Sequence, residues 1–210
     1  MLVLNHTCAI RNGALLCWGY NNRGQLGDGT TTNRTTPVTV TNMISNVVAA
    51  AAEGWHSCAI RNGALLCWGG GGWSGPGGSY GSIPPWGSVP VTVSGMVSEV
   101  TNVTAGHWNV CAIRNGGVSC VSSIGNGLGN TISALSTNVT AVASGGYGAY
   151  EFACAVRNGA VFCWGYGYSS HSAPTAMPTP LNADVLAVSA FRECSNQSDI
   201  NSDRPRRYFG

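Results

Sequence analysis

Apolar and polar residues alternate on both sides of an Asn-Gly pair in the segment CAIRNGALLCWG, residues 8–19. A period of two is typical of strands with one buried face, and Asn-Gly favours a type I′ turn, in which both residues have φ > 0. The segment therefore predicts a β-hairpin. It returns unchanged at 58–69, and related copies stand at 111–122 and 154–165. Four copies at intervals of 50, 53 and 43 residues indicate a repeat protein whose units cover one another.

The hairpin register brings the two cysteines of each copy together. With Asn12-Gly13 as the turn, Cys8 lies opposite Cys17 at a non-hydrogen-bonded pair, where side chains approach most closely. The same register predicts four disulfides, namely Cys8–Cys17, Cys58–Cys67, Cys111–Cys120 and Cys154–Cys163. Disulfides of this number indicate an oxidising compartment. The alternative is that these cysteines are free thiols buried between packed sheets. Cys194 has no such partner.

Further strand candidates surround each hairpin. Segments such as NVVAAAAE (46–53), NVTAG (102–106) and NVTAVAS (138–144) precede a hairpin, whereas PVTVT (37–41) and PVTVS (90–94) follow one. Four antiparallel strands within about 40–50 residues are the mark of a propeller blade. No useful stretch has the 3.6-residue period of a helix. The sequence therefore predicts an all-β fold, a β-propeller with about four blades of four antiparallel strands.

The predicted units cover residues 1–45, 46–99, 100–137 and 138–182, and all lie within a propeller domain that ends near residue 190. The first unit lacks its first strand. A strand predicted at 183–190 has no hairpin after it, so it either completes the first blade or begins a fifth unit. We favour the second reading, in which the chain is part of a longer array. The polar tail, 191–210, is predicted to be disordered.

The composition excludes some classes of partner and bears on the cellular compartment. Charged residues make up 9% of the chain, the ten basic residues are all Arg, and the net charge is +2. This balance provides no basic field for nucleic acid. No apolar run is long enough to predict a membrane span. We expect an extracellular or surface location if the disulfides form, and a cytoplasmic one if they do not.

The residues 6–40 closely resemble the repeat of the regulator-of-chromosome-condensation family. The resemblance is carried by His-x-Cys-Ala, the Trp-Gly after the second cysteine, Gly-Gln-Leu-Gly at 24–27 and Asp-Gly-Thr at 28–30. The paired cysteines are similar to those of bacterial members. Only the first unit is complete, because units two to four replace the Gly-Gln-Leu-Gly loop. The resemblance implies a propeller, normally of seven blades, which supports the view that this chain is a fragment.

The resemblance implies a scaffold but no common chemistry. Family members include a nuclear exchange factor for a small GTPase and bacterial inhibitors of β-lactamases, so function does not follow from the fold. The exchange factor's loop insertion and basic tail have no counterpart here. We therefore expect a non-enzymatic scaffold that binds a protein partner through blade loops. Further blades of a longer chain are a second candidate partner. An intracellular regulator of a small GTPase and a carbohydrate-acting propeller enzyme are the alternatives.

Candidate chemistry is sparse. No nucleophile elbow, His-Glu-x-x-His or Cys-x-x-Cys motif occurs, so we predict no catalytic residue, metal site or cofactor. An enzyme would need two carboxylates in one pocket, drawn from Glu53, Glu99, Glu151 and Asp184. A zinc site formed by the cysteines with His6, His56 and His107 does not match tetrahedral spacing.

The repeated His6 and His56 are expected to satisfy backbone groups between blades. Trp18, Trp68 and Trp164 are expected in the core. The aromatics that do not repeat are better candidates for a partner-binding surface, because Trp and Tyr supply contact area at low entropy cost. They are Trp73, Tyr80, Trp86, Tyr166 and Tyr168.

Overall fold

A computed structural model describes residues 6–70, 74–75, 78–79, 87–106, 109–122, 132–146, 152–165, 174–178 and 180–189. Four antiparallel sheets of three or four strands follow one another along these ranges, and in each the strands lie side by side in the order of the chain. We call each sheet a blade. No helix in these ranges has the length and apolar character needed to cross a membrane.

The first two blades hold seven strands. Blade 1 consists of β1 (His6–Arg11), β2 (Ala14–Gly19) and β3 (Arg34–Thr39). Blade 2 consists of β4 (Val47–Glu53), β5 (His56–Arg61), β6 (Ala64–Gly69) and β9 (Gly87–Thr92). Between β6 and β9 a two-stranded ribbon pairs β7 (Ser74–Gly75) with β8 (Gly78–Ser79).

The last two blades are also antiparallel sheets, of three and four strands. Blade 3 consists of β10 (Val100–Ala105), β11 (Asn109–Arg114) and β12 (Gly117–Ser122), and a 3₁₀ turn (Ser133–Leu135) follows it. Blade 4 consists of β13 (Val139–Gly145), β14 (Phe152–Arg157), β15 (Ala160–Gly165) and β16 (Thr175–Ala176). The expected all-β organisation is therefore present.

The predicted hairpin register is confirmed in all four copies. Asn12 and Gly13 have φ of 52° and 76°, as a type I′ turn requires, and the other three Asn-Gly turns match them. Cys8 pairs with Cys17 across β1 and β2, and the corresponding cysteines pair in the later hairpins. All four predicted disulfides are formed, with Cα atoms 4.0–4.1 Å apart. This short separation belongs to non-hydrogen-bonded pairs.

In blades 2, 3 and 4 the first strand follows a residue of positive φ and starts with a bulge. Asn46, Glu99 and Asn138 have φ near 60°, and the pairing shifts by one residue just after each of them. The bulge explains why pattern alone misplaced some strand starts: β10 begins at Val100, before the predicted 102–106.

The strand predicted at 183–190 is not formed, although the segment begins like one. Residues 183–189 contain no strand, and residue 190 lies outside the described residues. Asp184 nevertheless has φ of 60°, and the Val185 N–H donates to the Gly159 carbonyl at 2.8 Å. A strand needs a ladder partner, and no hairpin follows within the described residues to supply one. The predicted disordered tail, 191–210, also lies outside the described residues.

The blades stack through apolar clusters. One cluster joins Leu15, Cys17 and Val40 of blade 1 to Ala59 and Trp68 of blade 2, and similar clusters join blades 2 to 3 and 3 to 4. Trp68 and Trp164 are buried, as expected, because each packs on the blade before it. Trp18 is only half-buried, which departs from the core role expected of it.

The linkers between blades are tied to the Asn-Gly turns. The N–H groups of Val47, Val100 and Val139 donate to the carbonyls of Gly13, Gly63 and Gly116, each at 2.9 Å. The repeated Arg before each later turn adds a second tie. The Nε atoms of Arg61, Arg114 and Arg157 donate to the carbonyls of Ser45, Ser98 and Thr137 at 3.0–3.2 Å.

The disulfides predict a simple labelling result. We expect the unfolded but unreduced chain to take up one equivalent of N-ethylmaleimide, at Cys194, and the reduced chain to take up nine. Each bridge closes a loop of about ten residues and stabilises the fold by roughly 2.5 kcal/mol on the chain-entropy estimate. Intact mass before and after reduction measures the uptake. Nine equivalents without reduction would contradict the disulfides.

Candidate functional site

Antiparallel order places the two kinds of connection at opposite ends of the blades. The connections that follow the second hairpin strand, 20–33, 70–86, 123–131 and 166–174, leave from one end, together with 54–55. We call this end the loop face. The Asn-Gly turns and the linkers between blades form the other end, which we call the turn face. The loop face differs from unit to unit, whereas the turn face repeats, so the loop face is the candidate site.

The predicted interface aromatics fall in loop-face connections. Trp73, Tyr80, Trp86, Tyr166 and Tyr168 all lie outside the described residues, so their role as a partner-binding set stays a prediction. Among the connections that follow a second hairpin strand, only 20–33 of blade 1 is described in full, and it contacts blade 2.

Asn21 organises the connection 20–33 from the inside. Its side chain is fully buried, and its Oδ1 accepts the Leu26 N–H at 2.9 Å. Its Nδ2 donates to the carbonyls of Thr30 and Thr32 at 3.1 and 3.0 Å. One buried amide therefore satisfies backbone groups from both halves of the loop, which holds the loop in one shape.

Asp28 forms an ion pair with Arg34. Its Oδ2 lies 2.8 Å from Arg34 Nη2 and accepts the Arg34 Nε–H at 2.9 Å. Thr30 donates its N–H and its hydroxyl to Asp28 Oδ1 at 3.0 and 2.7 Å. Burial raises the pKa of the Asp28 carboxyl, but the hydrogen bonds from Thr30 and Arg34 outweigh it, so the pKa is lowered overall. Asp28 stays ionised near neutral pH and fastens the loop.

The loop is bonded to blade 2 through the carbonyl of Gln25. This carbonyl accepts the Trp68 indole N–H at 2.9 Å and the Ser57 hydroxyl at 2.8 Å. His6 Nε2 lies 2.6 Å from the same Ser57 hydroxyl oxygen. Because the Ser57 proton is directed to Gln25, the His6 ring must donate, which assigns its proton to Nε2. His6 thus serves packing between blades, as expected, but its partner is a side chain and not a backbone group.

Burial keeps His6 uncharged. The pKa of His6 is lowered from 6.5 to about 4, because burial disfavours the charged ring. A neutral histidine that already donates its single proton to Ser57 is poorly placed to exchange protons with a substrate. The arrangement is structural.

The carboxylates that an enzyme would need do not converge among the described residues. Glu53 ends β4 at the loop face, whereas Glu99 and Asp184 lie at the turn face, at equivalent positions two repeats apart. Glu151 lies outside the described residues. The exposed surface of the loop face instead presents Arg23, whose guanidinium lies 5.7 Å from the Trp55 ring centroid.

Sequence reasoning missed two groups of residues. The loop network of Asn21, Asp28 and Arg34 was missed because the sequence pattern does not show which backbone and side-chain groups the folded loop brings together. The linker ties of Arg61, Arg114 and Arg157 did carry a signal, since Arg precedes Asn-Gly in every copy. A repeated charged residue beside a turn is itself an indication of a repeated contact.

Two glycines of the loop make a matched test of its packing. Gly27 and Gly29 have φ of 68° and 82°, so alanine strains the backbone at both. A Cβ on Gly27 would lie 2.6 Å from Trp68 Nε1, whereas a Cβ on Gly29 would find its nearest atom at 3.9 Å. We expect Gly27→Ala to lower the free energy of unfolding by about 3 kcal/mol and Gly29→Ala by about 1 kcal/mol. Urea unfolding measures both; equal losses would contradict the contact with Trp68.

The buried His6 predicts a pH dependence with a definite sign. Its folded pKa is about 4 and its unfolded value 6.5, so the unfolded chain binds the proton first. Its contribution is complete above pH 6.5 and is lost as the pH falls towards 4. Between pH 7 and pH 4.5 the loss is about 2.5 kcal/mol.

The control for this prediction is His6→Gln, which keeps a side-chain donor but does not titrate. We expect the variant to lose about 2.5 kcal/mol less than the natural chain between the two pH values. Urea unfolding at pH 7 and pH 4.5 gives the difference. The same pH dependence in both chains would show that His6 is not the titrating group.

Residues 12–60 match the family model for the regulator of chromosome condensation (RCC1) repeat. The matched segment runs from the first Asn-Gly turn, through the loop 20–33, to β5 of blade 2. It contains the whole connection 20–33. No curated protein sequence matches the chain.

Solved structures resemble the whole described fold. Human WBSCR16 is 18% identical with a TM-score of 0.67, and 90% of this chain covers 54% of that chain. Yeast RCC1 (Prp20), in its structure with Kap60, is 17% identical to this chain with a TM-score of 0.65. There, 89% of this chain covers 50% of that chain.

A third similar structure is the ectodomain of the receptor kinase CR4 from Physcomitrella patens, with 22% identity and a TM-score of 0.50. There, 88% of this chain covers 42% of that chain. At such identities the likeness concerns the fold, and the predicted β-propeller architecture is confirmed. The chain spans about half the length of the first two structures.

Proposed function

Since the chain is built from repeats of the regulator-of-chromosome-condensation type, we propose that it is a non-enzymatic scaffold that binds a protein partner through its loop face, in a secreted or surface-located form. The observation that carries the proposal is the contrast between the two ends of the blades.

The turn face is the same in each unit. The Asn-Gly turns share their φ values, and the linker bonds recur at 2.8–2.9 Å from Gly13 to Gly159. The loop face varies in length and composition, from 20–33 to 70–86 and 166–174. A constant frame that carries variable connections is the usual arrangement of a binding scaffold.

The loop-face connection 20–33 is also held in one conformation by its own hydrogen bonds and by blade 2. Asn21, Asp28 and the Gln25 carbonyl tie the connection 20–33 to itself and to blade 2. The loop therefore loses little conformational entropy when a partner binds, which favours affinity. The exposed Arg23 of this loop and the half-buried Trp55 of blade 2 belong to residue types that are enriched at protein interfaces.

The disulfides support an extracellular location. Four bridges in one chain are typical of oxidising compartments. The similar CR4 structure is an ectodomain, which agrees with this location. A regulator of a small GTPase inside the cell would carry free thiols instead, so the labelling result described above separates the two functions.

The binding face is tested with two sets of variants. The loop-face set carries Trp73→Ser, Tyr80→Ser and Trp86→Ser. The turn-face control carries Ile44→Ser and Val97→Ser, whose side chains are 70% and 62% exposed in the linkers. Each chain, with its disulfides intact, is immobilised and exposed to the secreted and surface proteins of the source organism. Bound proteins are quantified by mass spectrometry.

We expect a specific partner to be retained by the natural chain and the turn-face control, and to bind the loop-face set about tenfold more weakly or worse. The dissociation constant of the purified partner for each chain then measures the effect. Loss of the partner only from the turn-face control, or equal binding to all three chains, would contradict the proposal.

A further inference from the structure

The guanidinium of Arg23 carries a charge that the described part of the chain does not neutralise. The side chain is exposed, and its guanidinium donates no hydrogen bond to a described residue. Arg34, in the same connection, is paired with Asp28 instead. Glu53 ends β4 at this face, but among the described residues no ion pair joins its carboxylate to Arg23. The Arg23 donors are therefore open to an acceptor from a partner.

The backbone at Arg23 is held in place although its side chain is exposed. The Arg23 N–H donates to Gln25 Oε1 at 2.9 Å, and Gln25 is fully buried. The next residue, Gly24, lies against blade 2, since a Cβ on it would lie 2.6 Å from Ser88 Cα. The Gly29 N–H also donates to the Ser88 carbonyl at 2.9 Å. The base of the Arg23 side chain is therefore fixed relative to blade 2.

Trp55 of blade 2 positions the other end of the Arg23 side chain. Its ring centroid lies 5.7 Å from the guanidinium carbon. The Trp55 carbonyl accepts the Gly70 N–H at 2.6 Å, which holds the backbone of the turn between β4 and β5. Because the donors of a guanidinium lie in its plane, a contact with the ring leaves them available while it restricts the side chain. Arg23 is thus a cation that is ordered before a partner binds.

The chemistry of this pair of side chains favours a carboxylate. A planar fork of N–H donors matches the two oxygens of a carboxylate in a bidentate pair. The half-buried Trp55 offers apolar surface beside the fork for the carbon chain of an Asp or Glu residue. A nucleic acid would require a cluster of uncompensated cations, whereas the neighbouring Arg34 is already neutralised by Asp28.

We propose that the partner segment that docks where blades 1 and 2 meet on the loop face is acidic, and that Arg23 binds one of its Asp or Glu carboxylates beside Trp55. The inference rests on the proposed function, because it names the chemistry of a partner at the loop face. Since Arg23 is ordered before binding, this pair costs less side-chain entropy than a surface ion pair between two mobile side chains. The contact therefore adds affinity and fixes the orientation of the partner.

A peptide titration tests the site without the partner. The isotope-labelled chain, with its disulfides intact, is titrated with acetyl-Gly-Glu-Glu-Gly-amide, and NMR follows the Arg23 Nε–H and the Trp55 indole N–H. We expect both signals to shift with a dissociation constant on the order of 1–10 mM, and the peptide with Gln in place of Glu to bind about fivefold more weakly. Arg23→Gln should abolish the Trp55 shift. Arg11→Gln, which removes the same charge from an exposed position on the turn face, should leave it unchanged.

The second test uses the purified partner from the loop-face experiment. Arg23→Gln should weaken its binding about tenfold and Arg23→Lys about threefold, because lysine keeps the charge but not the planar fork. Arg11→Gln should bind the partner as the natural chain does. Replacing the paired carboxylate of the partner with Arg should restore binding to Arg23→Glu. Each variant should keep the circular dichroism spectrum and the midpoint of urea unfolding, since the Arg23 guanidinium donates no hydrogen bond to a described residue.

The outcomes separate this inference from the proposed function. A partner that binds the loop face equally well after Arg23→Gln overturns the acidic contact and leaves the scaffold function standing. Equal affinity for the Glu and Gln peptides overturns the contact as well, and so does tighter binding of a peptide with phosphoserine in place of Glu, which would assign Arg23 to a phosphorylated partner. If no chain retains a partner, the proposed function fails, and the peptide titration by itself decides whether Arg23 binds carboxylates.

Discussion

The docking of each linker onto the preceding Asn-Gly turn is the interaction on which the rest of the structure depends. The turn needs glycine for two reasons, its positive φ and the close approach of the linker backbone. Gly13 has φ of 76°, and a Cβ there would lie 3.1 Å from the Asn46 backbone nitrogen. At Gly159 the same approach would be 2.9 Å, to Asp184. Only a residue without a side chain allows the linker to come so close, and the bond from Val47 N–H to the Gly13 carbonyl sets where the next blade begins.

Repeating this bond orients every blade in the same way. The cysteine face of one hairpin then meets the alanine and tryptophan face of the next, as Cys17 meets Ala59 and Trp68. The first three disulfides lie inside such contacts, so each stiffens its hairpin and also fills the space between two blades. The connections at the opposite end take no part in the repeating bonds, which leaves them free to vary. Scaffold and binding surface are thus separated along the strand direction.

Much of the fold was predictable because its determinants are local. Asn-Gly has few low-energy conformations, and the hairpin register and cysteine pairs follow from it directly. The strand starts were less predictable, because the bulges after Asn46 and Glu99 depend on the linker bonds and not on alternation. The segment 183–189 has the right residues for a strand but lacks a partner. The interface aromatics, including Trp73 and Tyr166, stay a prediction, as do the bacterial type and the reading as a fragment.

The amino-acid sequence by itself determined the four hairpins and their cysteine pairs, because these depend on residues within about ten positions of one another, and the recurrence of the hairpin indicated the blade architecture. Only the tertiary structure decided which contacts the repeated side chains make. It showed that Arg61 ties a linker and that His6 donates to Ser57 across a blade boundary. It also showed that the shared sequence CAIR is largely buried in β5 and largely exposed in β1. The reason is physical: burial and hydrogen-bond partners come from the neighbouring blade, which lies about fifty residues away in the chain.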